Sequence, residues 1–68
     1  MKKWYAVLRD NEDTDWGTGS TRLREAAKMV REKRRDGEEE AHIAVIDITS
    51  DDMRAQICIA EIRDIRGL

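Results

Sequence analysis

The sequence predicts a small α+β domain in the order β-α-β-β, with three main strands and one amphipathic helix packed on one face of the sheet. Three observations carry this reading. An unbroken apolar run, Trp4-Tyr5-Ala6-Val7-Leu8, opens the chain. A stretch from Thr21 to Asp36 repeats its apolar residues with the period of a helix. Two stretches rich in branched apolar residues follow, separated by turn residues. With 68 residues there is room for one domain, residues 1–68, and no linker or repeat divides it.

The first run is rich in aromatic and branched residues and only five residues long, which suits a buried strand better than a helix. Asp10 to Ser20 then reads as a loop of Asp, Asn, Thr and Gly with Trp16 in its middle. Loops of this length without structure are uncommon, so part of it, near residues 16–18, is read as a short extra strand folding back on the first. In the helix, Leu23, Ala26, Ala27 and Val30 fall at i, i+3, i+4 and i+7 and share one face. Ser20 or Thr21 is the expected N-cap, and Gly37 the expected left-handed stop. Ala41 to Ile48 forms the second strand and Arg54 to Arg63 the third. Thr49-Ser50-Asp51-Asp52-Met53 between them makes an antiparallel hairpin. If the first two strands are parallel, the helix crosses between them in the right-handed sense.

A domain of this size buries only about 60% of the surface its unfolded chain exposes, so disulfides, a metal or oligomerisation usually make up the shortfall. Cys58 is the lone cysteine and His42 the lone histidine, which excludes an internal disulfide and a Cys/His zinc site. Oligomerisation is left. The single thiol, and the lack of an apolar stretch long enough for a signal or a membrane span, point to a cytoplasmic setting. Charged residues make up 41% of the chain but nearly cancel, leaving a net charge of −2. The 40% apolar share is periodic enough to exclude disorder.

One helix covers one face of a small sheet, and the other face should then alternate polar with apolar. These strands are apolar on both faces. With the hairpin centred on Asp51, Ile43, Val45, Ile57 and Ile59 share one face, while Ala44, Ile46, Ile48, Cys58, Ala60 and Ile62 share the other. Uncovered apolar surface of this extent marks an interface. A homodimer is therefore expected, with Ile43, Val45, Ile57 and Ile59 as the candidate self-association face. The competing arrangement is that the Trp16 loop and the C-terminal segment fold over the spare face within one chain.

The chemistry-bearing patterns are weak by comparison. In Asp10-Asn11-Glu12-Asp13-Thr14-Asp15 the acids alternate as in a calcium loop, but Trp16 stands where glycine is required and Arg22 where the bidentate acid should be. Gly17-Thr18-Gly19-Ser20 precedes a helix N-terminus, yet lacks the Lys-Ser or third glycine of the phosphate-binding patterns, and four acids lie just upstream. His42 and Cys58, on neighbouring strands, could form a base and nucleophile, but no third group orients them. The helix is the one basic element. Residues 21–36 carry seven Lys or Arg against three acids, and Arg24, Lys28, Arg31 and Arg35 fall on one stripe. Such a stripe suits an acidic protein or a nucleic-acid backbone, though a solvated helix face paired with its own acids explains it as well.

Several landmarks taken together, Trp4-Tyr5-Ala6-Val7, Asp15-Trp16-Gly17-Thr18-Gly19-Ser20, Ile43-Ala44-Val45-Ile46-Asp47 and Ile57-Cys58-Ile59-Ala60-Glu61-Ile62, resemble a group of short uncharacterised bacterial proteins, some of them carried on phage or mobile elements. The resemblance implies no activity. In topology alone the chain is similar to dodecins, which stack a flavin on a tryptophan in the strand after the helix. No tryptophan follows Trp16 here, so the flavin does not carry over. The first strand and acidic turn are also similar to HicB-type antitoxins, but the later strands are not. The expectation is a non-enzymatic interaction or regulatory module that self-associates, with no cofactor, no metal and no membrane. Nucleic-acid binding through the basic stripe is the alternative, and dodecin-like binding of a small molecule the third.

Overall fold

The computed structural model describes all 68 residues. Four strands form one antiparallel sheet: β1 (Lys3–Leu8), β2 (Gly19–Ser20), β3 (His42–Asp47) and β4 (Ile57–Ile62), in the spatial order β2-β1-β3-β4. One helix, α1 (Leu23–Arg35), lies across β2, β1 and β3. The small α+β class with one helix on a sheet is as the sequence predicts. The short extra strand also exists, shifted to Gly19–Ser20, where it pairs with Tyr5 and Ala6. Val7 N–H extends this pairing by donating to Thr18 O at 2.8 Å. β1 and β3 run antiparallel, so the right-handed crossover conditional on parallel strands does not arise.

Gly19 is required by close approach. A Cβ at that position would lie 2.2 Å from the backbone oxygen of Tyr5, so only a residue without one lets β2 seat on β1. Because Ser20 is still held in β2, it does not cap the helix. Arg22 occupies the N-cap position without a side-chain cap, and Ser20 Oγ instead accepts the Arg22 N–H at 3.0 Å. The C-terminus follows expectation. Gly37 has φ +104°, Glu38 N–H donates to Lys33 O at 3.0 Å, and Gly37 N–H donates to Arg34 O at 3.1 Å, the paired bonds that close a helix through a left-handed glycine.

The sheet separates two apolar clusters. Under the helix, Ala26, Ala27 and Val30 meet Val7, Ile43 and Val45, joined by Ala41 and Ile65. The two alanines let the helix approach the strands closely. The C-terminal segment packs on this helix side, bringing Ile65 and Leu68 to the same cluster. Two arginines tie it down. Arg31 donates to Ile65 O at 3.2 Å and to Leu68 O, while Arg34 donates to Ala41 O at 3.0 Å and Arg63 O at 2.8 Å.

On the far side, Ala6, Leu8, Ala44 and Ile46 are covered by Trp4, Trp16 and Ile48. Trp4 Nε1–H donates to the backbone oxygen of Trp16 at 2.8 Å, pinning the long loop over the sheet. The loop is built from its own acids. Asp13 accepts from Arg9 N–H at 2.8 Å and Asp15 N–H at 3.0 Å, and Asp15 accepts from Gly17 N–H at 2.9 Å. Those bonds, with the Arg9 guanidinium 3.2 Å away, lower the Asp13 pKa from 3.8 to about 2. The acidic run is thus a folded loop whose carboxylates satisfy backbone donors.

Candidate interaction surface

β4 is the element the chain leaves uncovered. It pairs with β3 on one side only, and nothing pairs with its outer edge. The helix stops short of it, so Ile57 is 56% exposed and Ile59 42% exposed, and Cys58 and Ala60 beside them are exposed as well. Met53, in the 3-10 turn Met53–Ala55 leading into β4, is 80% exposed. The strand holds no proline and one charge, Glu61. An edge of this kind offers a row of free backbone donors and acceptors flanked by apolar side chains.

The pairing differs from a hairpin centred on Asp51. The 3-10 turn lengthens the connection, and the register is Ile43↔Ile62, Ala44↔Glu61 and Val45↔Ala60, then Ile46↔Cys58 and Asp47↔Ile57. Ile59 is the extra residue of a bulge. The candidate self-association face is therefore split. Ile43 and Val45 lie beneath the helix at 0% and 6% exposure, and only Ile57 and Ile59 remain open. Ala60 takes the place opposite Val45 that a hairpin centred on Asp51 assigns to Ile57.

The same register parts His42 from Cys58. Cys58 sits opposite Ile46, four residues along β3 from His42, a separation of roughly 13 Å at the usual rise of an extended strand. The Cys58 thiol donates to Ala60 O at 3.3 Å. His42 is buried, and its ring has a different role. Nδ1 lies 2.8 Å from Glu40 O, which can only accept, so Nδ1 carries a proton. Nε2 faces Glu61 at 3.4 Å, and the other Glu61 oxygen meets Arg63 at 3.4 Å. Nε2 makes no hydrogen bond, so the ring is anchored through Nδ1 alone.

Arg24, Lys28, Arg31 and Arg35 are all exposed along the outer side of α1. Arg31 is occupied by the C-terminal carbonyls, and Arg24, Lys28 and Arg35 take part in none of the chain's ion pairs. Sequence reasoning missed Arg34, which follows Val30 by four and so continues the apolar stripe. That spacing was the available sign of a structural role. The molecule's one notable concavity is an open depression of about 330 Å³ lined by Arg9, Asp10, Gly37, Glu38, Glu39 and Glu40. Its walls are polar throughout, unlike the mostly apolar pockets that hold small molecules. No helix is long and apolar enough to cross a membrane.

Comparison with protein-family models, with curated proteins and with solved structures gives no match to this chain.

Proposed function

We propose that this domain is a small non-enzymatic interaction module that self-associates through β4. The single observation that carries this is the exposure of a bare, mostly apolar strand on its outer edge and on the side the helix fails to reach. Of the expected self-association face, Ile43 and Val45 lie beneath the helix, and the opposite face of β1 and β3 is covered within the chain by Trp4 and Trp16, so β4 is the apolar surface left for association. A 68-residue domain gains from burying such a strand, since its own core is small. A regulatory role exercised by association suits the resemblance to short mobile-element proteins. Multi-angle light scattering across a concentration series tests the reading. A dimer or larger species is expected by high micromolar concentration, and a monomer throughout overturns it.

A second reading is favoured by one observation, the three free cations Arg24, Lys28 and Arg35 on one helix face. They fit a nucleic-acid backbone. Neutralising three phosphates implies a slope of roughly −3 in a log–log plot of affinity against salt. Absence of binding to DNA or RNA at low salt ends this reading.

A further inference from the structure

We infer that His42 and Glu61 form a proton-operated clasp between β3 and β4, open when the ring is neutral and closed when it is charged. The ring is 1% exposed, and its Nδ1–H is committed to the Glu40 carbonyl at 2.8 Å. In the neutral ring Nε2 therefore carries a bare lone pair, and no donor reaches it. The polar group it meets is the Glu61 carboxylate, 3.4 Å away, which when ionised only accepts. Two acceptors thus face each other at a buried nitrogen, where an unsatisfied polar group is costly. A proton on Nε2 turns one of them into a donor, and the contact becomes a charge-assisted hydrogen bond.

The register makes this pair a tie between strands. Ala44 lies opposite Glu61, so His42 and Glu61 are diagonal neighbours on one face, within reach of long side chains. Glu61 belongs to the short stretch of β4 beyond the bulge, Ala60 to Ile62, and the clasp acts there whether or not the outer edge is occupied. The other charges around the ring are engaged elsewhere. On the β4 side, Arg63 meets the second Glu61 oxygen at 3.4 Å. From β1, apolar Leu8 stands opposite His42, and Arg9 beyond it pairs with Asp13 of the long loop. Asp10 and Asp15 of that loop accept from its own backbone. Before β3, Glu38 pairs with Lys33, Glu39 is exposed, and Glu40 reaches the ring through its carbonyl. The helix lies on the opposite face, over Ile43 and Val45. Glu61 is left as the group that answers a charge on Nε2.

His42 is the only histidine, so nitrogen NMR spectra of its ring need no assignment. Those spectra, with urea titrations of dilute protein between about pH 8 and about pH 5, test the clasp. At the alkaline end the ring should carry its single proton on Nδ1. At the acid end the folded chain should carry a second proton on Nε2. Glu61→Gln removes the charge at a half-exposed position that tolerates the change. The folding equilibrium constant of the native chain relative to this variant should rise at least about tenfold as the pH falls, the contribution of a hydrogen bond to a charged group. Asp64→Asn removes an equal charge just beyond β4, and the native chain's advantage over it should stay level with pH. A neutral ring protonated on Nε2 rather than Nδ1 would overturn the inference. So would a level native-to-Gln ratio, whether or not the ring takes up its second proton, and so would a rise that Asp64→Asn reproduces.

Discussion

Replacing Trp16 with alanine tests how the chain seals its own far face. Trp16 lies half-buried over Ala6, Leu8, Ala44 and Ile46, and its backbone oxygen holds the Trp4 indole at 2.8 Å. Truncating a fully buried tryptophan destabilises a domain by about 3–5 kcal/mol. At half burial the expected loss is about 2 kcal/mol, with the hydrogen bond from Trp4 surviving in principle because its acceptor is backbone. For a domain of 60–100 residues that amounts to a fall in Tm of roughly 8–16 °C. The apolar surface released should also bind a hydrophobic dye such as ANS and raise the tendency to associate. Thermal unfolding followed by circular dichroism, with dye fluorescence on the folded protein, reads both effects. An unchanged Tm and no dye binding would refute the claim that this loop covers the sheet.

Three further outcomes follow from the same geometry. Gly19→Ala forces a Cβ to within 2.2 Å of Tyr5 O, so β2 should detach from β1 and amide exchange of Tyr5 to Val7 should accelerate. Ile43→Ala should destabilise by about 2–5 kcal/mol, whereas Ile57→Ala, at an exposed position, should change the stability of the dilute monomer by less than about 0.5 kcal/mol; urea titrations compare them. Asp13 is lowered in the folded state from 3.8 to about 2, so its contribution is fully present above about pH 4 and is lost as pH falls through about 2. Asp13→Ala should therefore be less stable than the native chain near neutrality, and the gap should close across that acid window in urea titrations run at each pH.

The helix and the two long inner strands were legible because their periodicity is local: Leu23, Ala26, Ala27 and Val30 mark one face without reference to the rest of the chain. Gly37 was legible for the same reason, since a helix stop depends on one residue's backbone. The hairpin register was not. It depends on a 3-10 turn at Met53–Ala55 and a bulge at Ile59, and one inserted residue moves every later side chain to the other face. That shift brings Ala60 and Ile62 to the face of Ile43 and Val45, while Ile57, opposite Asp47 on that same face, lies open because the helix does not reach it. The excess of apolar strand was visible in the composition of the strands, but its location was not. Trp16 covers one part of it through a contact twelve residues away from Trp4, and the helix leaves another part open because its length and crossing position end over β3. Such contacts are set by packing between elements, on which local patterning is silent.

The most direct test of the central claim is sedimentation equilibrium on the native chain and on Ile59→Lys. A lysine on an open edge strand blocks pairing yet is tolerated where the side chain already meets water, as Ile59 does. The native chain should self-associate, and the variant should remain monomeric at the same concentrations with an unaltered far-ultraviolet spectrum. Identical mass distributions for the two proteins would contradict the role assigned to β4.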